Sequence, residues 1–134
     1  TFFTMASGGL GFGMPAAVGI ALAQRDRRVI ALIGDGSSMY SIQSLWSAAQ
    51  LGLDVTFVVL NNGGYAAMKR HAGLLGFAPG KKVVGIAVPG IRYDQLAIAQ
   101  GCPGERVTDA QGLHAVLEAA LARKGCSLVE VVIG

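Results

Sequence analysis

The chain has 134 residues, of which 52% are hydrophobic and 14% charged, with a formal net charge of +3. That length suits one domain with a sizeable core, and the apolar, weakly charged composition excludes intrinsic disorder. The basic residues form only small groups (Arg25, Arg27 and Arg28; Lys69 and Arg70; Lys81 and Lys82) without interleaved aromatics, which excludes a nucleic-acid stripe, and no apolar run reaches the ~18 residues of a membrane span.

In chain order, the sequence opens on Thr1-Phe2-Phe3, with no basic leader, so no signal peptide is expected. The abrupt apolar start reads as a piece of a longer protein or one half of an assembly. Pro15 suits the first turn of a helix running to about Gln24, and the small and apolar residues 16–23 predict that this helix is well buried. Residues 29–33 and 55–60 are unbroken apolar, β-branched runs, as in parallel strands covered on both faces. Between them Ile42, Leu45, Trp46 and Ala49 form one helical face, with Ser37 or Ser38 as the cap and Gly52 near the end. A short helix is expected over 64–71, a long Gly- and Pro-punctuated loop over 73–89, and a helix over 93–99. A weak strand follows at 104–107. Thr108-Asp109-Ala110-Gln111 matches a capping box, and Leu113, Val116, Leu117, Ala120 and Leu121 give the helical stripe behind it. A last strand spans 127–133. The alternation predicts an α/β fold: a doubly wound, mainly parallel sheet with helices on both faces, forming one domain over 1–134. Cys102 and Cys126 lack a CxxC pairing and read as buried or inert thiols in a reducing cytoplasm.

The chemistry concentrates in Gly34-Asp35-Gly36 and Asn61-Asn62, each just past an apolar strand. Parallel strands put both on one rim, where ligands of open α/β sheets bind. Asp35 offers a carboxylate, Asn62 an amide oxygen, and a backbone carbonyl near Gly64 a third oxygen. This set suits a hard cation, Mg2+ with Ca2+ as the other candidate, that shares its shell with phosphate oxygens. Ser37 and the amides after it are expected to form a helix N-terminus that favours a phosphate. Either turn alone would serve equally well for chain reversal. The pair across a βαβ unit is what points to a site.

The same residues, together with Gly8-Gly9-Leu10-Gly11-Phe12, Tyr40-Ser41-Ile42, Leu45-Trp46, Ala48-Ala49-Gln50 and Val88-Pro89-Gly90-Ile91, carry a resemblance. The sequence resembles the thiamine diphosphate-binding C-terminal domain of the benzoylformate decarboxylase and acetolactate synthase-like 2-oxo acid decarboxylase family over nearly its whole length. The resemblance implies a thiamine diphosphate- and Mg2+-dependent lyase that decarboxylates a 2-oxo acid without oxidation. By the same resemblance, Asp35, Asn62 and the Gly64 carbonyl hold the metal, while Gly36, Ser37 and the Tyr65 amide face the diphosphate. Gly8 offers a backbone carbonyl to the aminopyrimidine, Gly9 is a further cofactor-binding position, and Leu10 is the wedge that bends the cofactor. Met68 and His71 match substrate-pocket positions. The family pattern has an aromatic residue where His71 stands, so His71 either meets a carboxylate or faces solvent, and a benzoyl substrate is in doubt. His114 reads as a surface residue.

The family's catalytic glutamate and active-site histidines belong to regions this sequence lacks. The resemblance therefore implies a pyrimidine-binding domain, upstream or on another subunit, a homo-oligomer, a cytoplasmic location, no nucleic-acid or membrane partner, and little turnover by the isolated chain. A carboligase of the acetolactate synthase kind shares the motif, as does an oxidoreductase of the pyruvate–ferredoxin kind. From other classes, Gly9-x-Gly11-x-Gly13 suggests a nicotinamide-binding Rossmann module, and a non-catalytic partner subunit is a further alternative.

Overall fold

The computed structural model describes residues 1–5, 7–77 and 83–133. Among the described residues, β1 (Val29–Gly34), β2 (Val55–Asn61), β3 (Gly104–Val107) and β4 (Ser127–Val132) form one sheet in the order β1-β2-β4-β3, every neighbouring pair parallel. The connecting helices are α1 (Gly13–Ala23), α2 (Asp35–Ser38), α3 (Ser44–Gln50), α4 (Ala66–Leu74), α5 (Tyr93–Ala99) and α6 (Ala110–Ala122). The α/β fold and parallel sheet expected from the unbroken apolar runs are those observed. Among the described residues no helix is long and apolar enough to cross a membrane.

The sheet has two unequal layers of cover. On one face Val55, Phe57 and Val59 of β2 pack with Met14 and Ala17 of α1, Leu45 of α3 and Tyr93 of α5, and all are buried. Each large apolar side chain fully buried there contributes about 1.5–3 kcal/mol. On the other face Val107 and Val129 pack beneath Ala120 of α6, with Leu113, Val116 and Leu117 around them. Cys102 and Cys126 are buried and free.

Several expectations need correction. The residues between β1 and β2 do not form one helix capped at Ser37 or Ser38. Four residues of α2 begin at Asp35, the chain turns through 39–43, and α3 starts at Ser44. The break falls in a serine-rich stretch, and serine favours turns over helix interiors. Ser38 Oγ donates to the Gly34 carbonyl at 2.9 Å, and three-residue backbone bonds (Tyr40 N to Ser37 O, Ser41 N to Ser38 O, Ser44 N to Ser41 O) replace α-helical ones. Trp46 is exposed, and α3 buries Ser44, Leu45 and Ala48 instead.

The second correction concerns cover. α1 buries only Met14, Ala17 and Ala21, with Leu22 exposed, and on β1 Ile30 and Leu32 are 59% and 67% exposed. Their strand is at the sheet edge and α6 covers only the β3–β4 side. These side chains line an apolar cleft of about 850 Å³ with Phe2 and Phe3.

The cap of α6 is Asp109, one residue after the expected Thr108, and its Oδ1 accepts from Gly112 N at 2.8 Å. α4 runs through Leu74, past the start expected for the 73–89 loop. Part of that loop, including Lys81 and Lys82, lies outside the described residues. Its far end returns to the turn after β2. Tyr65 N donates to Ile86 O and Val88 N to Gly63 O, both at 2.9 Å.

Candidate functional site

Register sets the first element of the site. Gly34 pairs with Leu60 across the parallel β1–β2 ladder, so Asp35 and Asn62 leave the carboxyl ends of adjacent strands. The two turns then lock together. Gly64 N donates to Asp35 Oδ2 at 2.8 Å, and the Asp35 side of this bond is 1% exposed. Gly36 lies so close to Tyr65 that a Cβ would fall 2.5 Å from its ring, a contact only glycine avoids. A third segment joins them, because Gly11 N donates to Ser37 Oγ at 3.2 Å. Gly11 has φ +82°, and a Cβ there would meet Tyr40 Cβ at 2.7 Å. Tyr40 and Tyr65 complete the cluster edge to face, with ring centroids 6.3 Å apart.

The structure thus brings Asp35, Gly36, Ser37, Gly64 and Tyr65 together, with the 8–12 loop joined through Gly11. Gly8, Gly9 and Leu10 are exposed on that loop, Leu10 by 49%. Gly8 and Ser37 both line the apolar cleft. Asn62 is exposed and borders a smaller cleft of about 260 Å³ with Asn61, Arg92 and Arg106. The Gly64 carbonyl accepts from Ala66 N at 3.1 Å, which leaves one lone pair. Ser37 is not the head of a long helix, since α2 has four residues and its own hydroxyl receives the Gly11 amide. Met68 and His71 are exposed one turn apart on α4, a helix with no buried residue, and among the described residues no hydrogen bond ties either to Asp35. His114 is exposed on α6, beside Glu118.

Sequence reasoning missed the supports behind these turns. Tyr93 is fully buried and its hydroxyl donates to the Asp35 backbone carbonyl at 3.1 Å. Burial first, then the Asp35 and Glu130 carboxylates, push its phenol well above the usual tyrosine value, so the proton stays for that bond. Burial and the neighbouring Tyr40 also raise Tyr65. Glu130 is fully buried in β4, and Asn61 Nδ2 donates to its Oε1 at 2.7 Å. A lone glutamate inside Ser127-Leu128-Val129-Glu130-Val131 was the available signal, because a buried carboxylate must find partners. Nearby, the Arg92 guanidinium grips Asp94 with Nε at 2.9 Å and Nη2 at 2.7 Å, which holds the Asp94 carboxyl well below the usual carboxylate range.

Among the described residues no three His, Cys, Asp or Glu side chains cluster as a metal-binding group. The donors at this rim are instead one carboxylate, one exposed amide and one carbonyl. An all-oxygen set with little charge fits a hard cation shared with a phosphorylated ligand, and fits neither zinc nor an iron–sulfur cluster.

A parallel α/β sheet with two glycine-rich turns locked at its carboxyl rim defines a domain that binds a phosphorylated cofactor. Residues 1–131 match the family model for the thiamine pyrophosphate enzyme, C-terminal TPP binding domain, and the chain belongs to that family. Benzoylformate decarboxylase of Pseudomonas aeruginosa is 43% identical over 133 residues, which are 98% of this chain and 24% of that protein. The acetolactate synthase isozyme 1 large subunit of Escherichia coli is 35% identical over 131 residues, 95% of this chain and 23% of that protein. A solved thiamine diphosphate-dependent 4-hydroxybenzoylformate decarboxylase from Rhodococcus jostii RHA1 superposes with a TM-score of 0.89 at 45% identity, covering 96% of this chain and 24% of that one. The chain therefore spans about a quarter of the length of the relatives it matches. The Rossmann alternative lacks its strand: among the described residues none precedes Gly9, and Gly13 already opens α1.

Proposed function

We propose that this chain supplies the diphosphate and metal half of a thiamine diphosphate-dependent, Mg2+-dependent lyase that decarboxylates a 2-oxo acid without oxidation. The observation that carries the reading is the Gly64–Asp35 hydrogen bond, which joins the two motif turns at one rim.

In this reading Asp35, the Asn62 amide oxygen and the free lone pair of the Gly64 carbonyl hold Mg2+. Gly36 and Ser37 face the diphosphate, whereas the Tyr65 amide expected beside them already donates its one N–H to Ile86 O. The Gly8 carbonyl meets the aminopyrimidine, and Gly9 is a further cofactor-binding position. The exposed Leu10 would act as the wedge that bends the cofactor, a role consistent with an apolar side chain that the core does not use. When bound, thiamine diphosphate supplies the electron sink for loss of CO2. The chain's own part is to bind, bend and orient. The proton-moving groups come from a pyrimidine-binding domain elsewhere in the protein or on another subunit, so residues 1–134 alone turn over little or no substrate. Met68 and His71 contribute to the substrate pocket, and the polar His71 argues against a purely aromatic substrate. A homo-oligomer in the cytoplasm completes the reading, and the two free buried thiols suit a reducing compartment.

A second reading, a carboligase, is favoured by the similarity to acetolactate synthase. Product analysis of the complete protein separates the two. Aldehyde released from aryl or aliphatic 2-oxo acids supports the lyase, and acetolactate from pyruvate supports the carboligase.

A further inference from the structure

We propose that Glu130, a residue remote from the reacting atoms, is the positioning residue that sets both metal-holding turns at once. The proposal rests on the reading that Asp35, Asn62 and Gly64 hold Mg2+.

Glu130 lies in β4, in register with Val59 of β2 and Arg106 of β3, and is 0% exposed. A carboxylate in that position is costly unless every lone pair is used. Its two oxygens face different parts of the rim. Oε1 accepts from Asn61 Nδ2 at 2.7 Å and pairs with Arg106 Nε at 3.3 Å. Oε2 accepts from the backbone amides of Tyr93 at 3.1 Å and Asp94 at 3.3 Å.

Both arms end beside the metal-holding residues. On the first, Asn61 Oδ1 accepts from Gly63 N at 3.0 Å, which fixes the turn carrying Asn62 and Gly64. On the second, Tyr93 is held at the start of α5 and its hydroxyl donates to the Asp35 carbonyl at 3.1 Å. Capping α5 alone would need only a short polar side chain at its N-terminus. A buried carboxylate that ties α5, the Asn61 side chain and Arg106 together instead fixes the separation of the two turns. Groups that orient metal ligands from behind change metal affinity when they are altered.

Glu130→Gln keeps the side-chain volume but leaves one acceptor oxygen where two are used, and turns an NH2 group toward existing N–H donors. The test is a calorimetric titration of Mg2+ into the complete protein at saturating thiamine diphosphate, with the fold of each variant checked by circular dichroism. The expected result is a Mg2+ Kd weakened about tenfold or more in folded Glu130→Gln, with excess Mg2+ restoring full occupancy. A residue that served only stability would lower the melting temperature and leave the Kd of the folded molecules unchanged. If Glu130→Gln does not fold, Tyr93→Phe and Asn61→Ala each cut one arm and are expected to weaken Mg2+ binding in the same direction. An unchanged Kd in folded Glu130→Gln, or in both arm variants, overturns the proposal and leaves the cofactor reading standing. A wild-type protein that binds no Mg2+ with thiamine diphosphate overturns both.

Discussion

Gly64 donates its backbone N–H to Asp35 Oδ2 at 2.8 Å, across a junction between two turns that leave neighbouring parallel strands. One oxygen of Asp35 is thereby committed to the fold, and in the proposed reading the other meets the cation. Two substitutions separate these duties. Asp35→Asn can still accept from Gly64, so the protein keeps most of its stability and loses metal-dependent cofactor binding. Asp35→Ala loses both, and the buried Gly64 N–H it leaves unpaired costs about 1–3 kcal/mol. Urea unfolding beside cofactor titration reads the two effects, and equal cofactor affinity in Asp35→Asn and wild type would contradict the role.

Gly36→Ala tests the close approach to Tyr65. The added methyl would sit 2.5 Å from the ring, so Tyr65 must shift and the turn with it. Overpacking of this kind costs about 1–3 kcal/mol. Cofactor affinity is expected to fall as well, because in the proposed reading the turn carrying Gly36 faces the diphosphate. A variant with wild-type unfolding and wild-type binding would show that the contact is slack.

Leu10 offers a cleaner separation of stability from function. It is 49% exposed, so Leu10→Ala is expected to change unfolding free energy by no more than about 0.5 kcal/mol. As the wedge it should lower turnover sharply. Steady-state kinetics on the complete protein decide this, and unchanged kcat would remove Leu10 from the site.

Met68 and His71 lie on an α4 that buries no side chain, so they too can be altered without loss of the core. His71→Phe is expected to raise kcat/KM for benzoylformate relative to pyruvate, with the melting temperature unchanged. A ratio that does not move means that α4 lies outside the substrate pocket.

Asp94 gives a pH-dependent expectation. Its hydrogen bonds to Arg92 lower the carboxyl pKa in the fold, so its stabilisation is complete above the ordinary value of 3.8 and is lost as pH falls below that. The Arg92 side chain is 48% exposed, which screens the pair and keeps the effect modest. Asp94→Asn should therefore unfold at lower denaturant than wild type at pH 7, with the gap closing in acid. A gap that persists unchanged well below pH 3.8 would mean that packing, not charge, makes the difference.

Local pattern carried much of the fold. Unbroken β-branched runs announced β1 and β2, and the Leu113-to-Leu121 stripe announced α6. The errors arose where tertiary context or polar side chains decide. Three-residue backbone turns through 37–44 split α2 from α3, which no apolar period records. The exposure of Ile30 and Leu32 follows from the edge position of β1, since an apolar run looks the same with one covered face as with two. At the site, glycine placement and the paired turns were legible because each residue stands at a strand end. Of the supports, Glu130 was visible only as a lone carboxylate in an apolar strand; that it and Tyr93 reach Asn61 and Asp35 was not legible, because only the fold brings those distant segments together.

Calorimetric titration of thiamine diphosphate into the complete protein, with and without Mg2+, puts the whole reading at risk. The account predicts binding that requires the metal and disappears in Asp35→Asn. Equally tight binding without metal, or binding that survives Asp35→Asn, would contradict it.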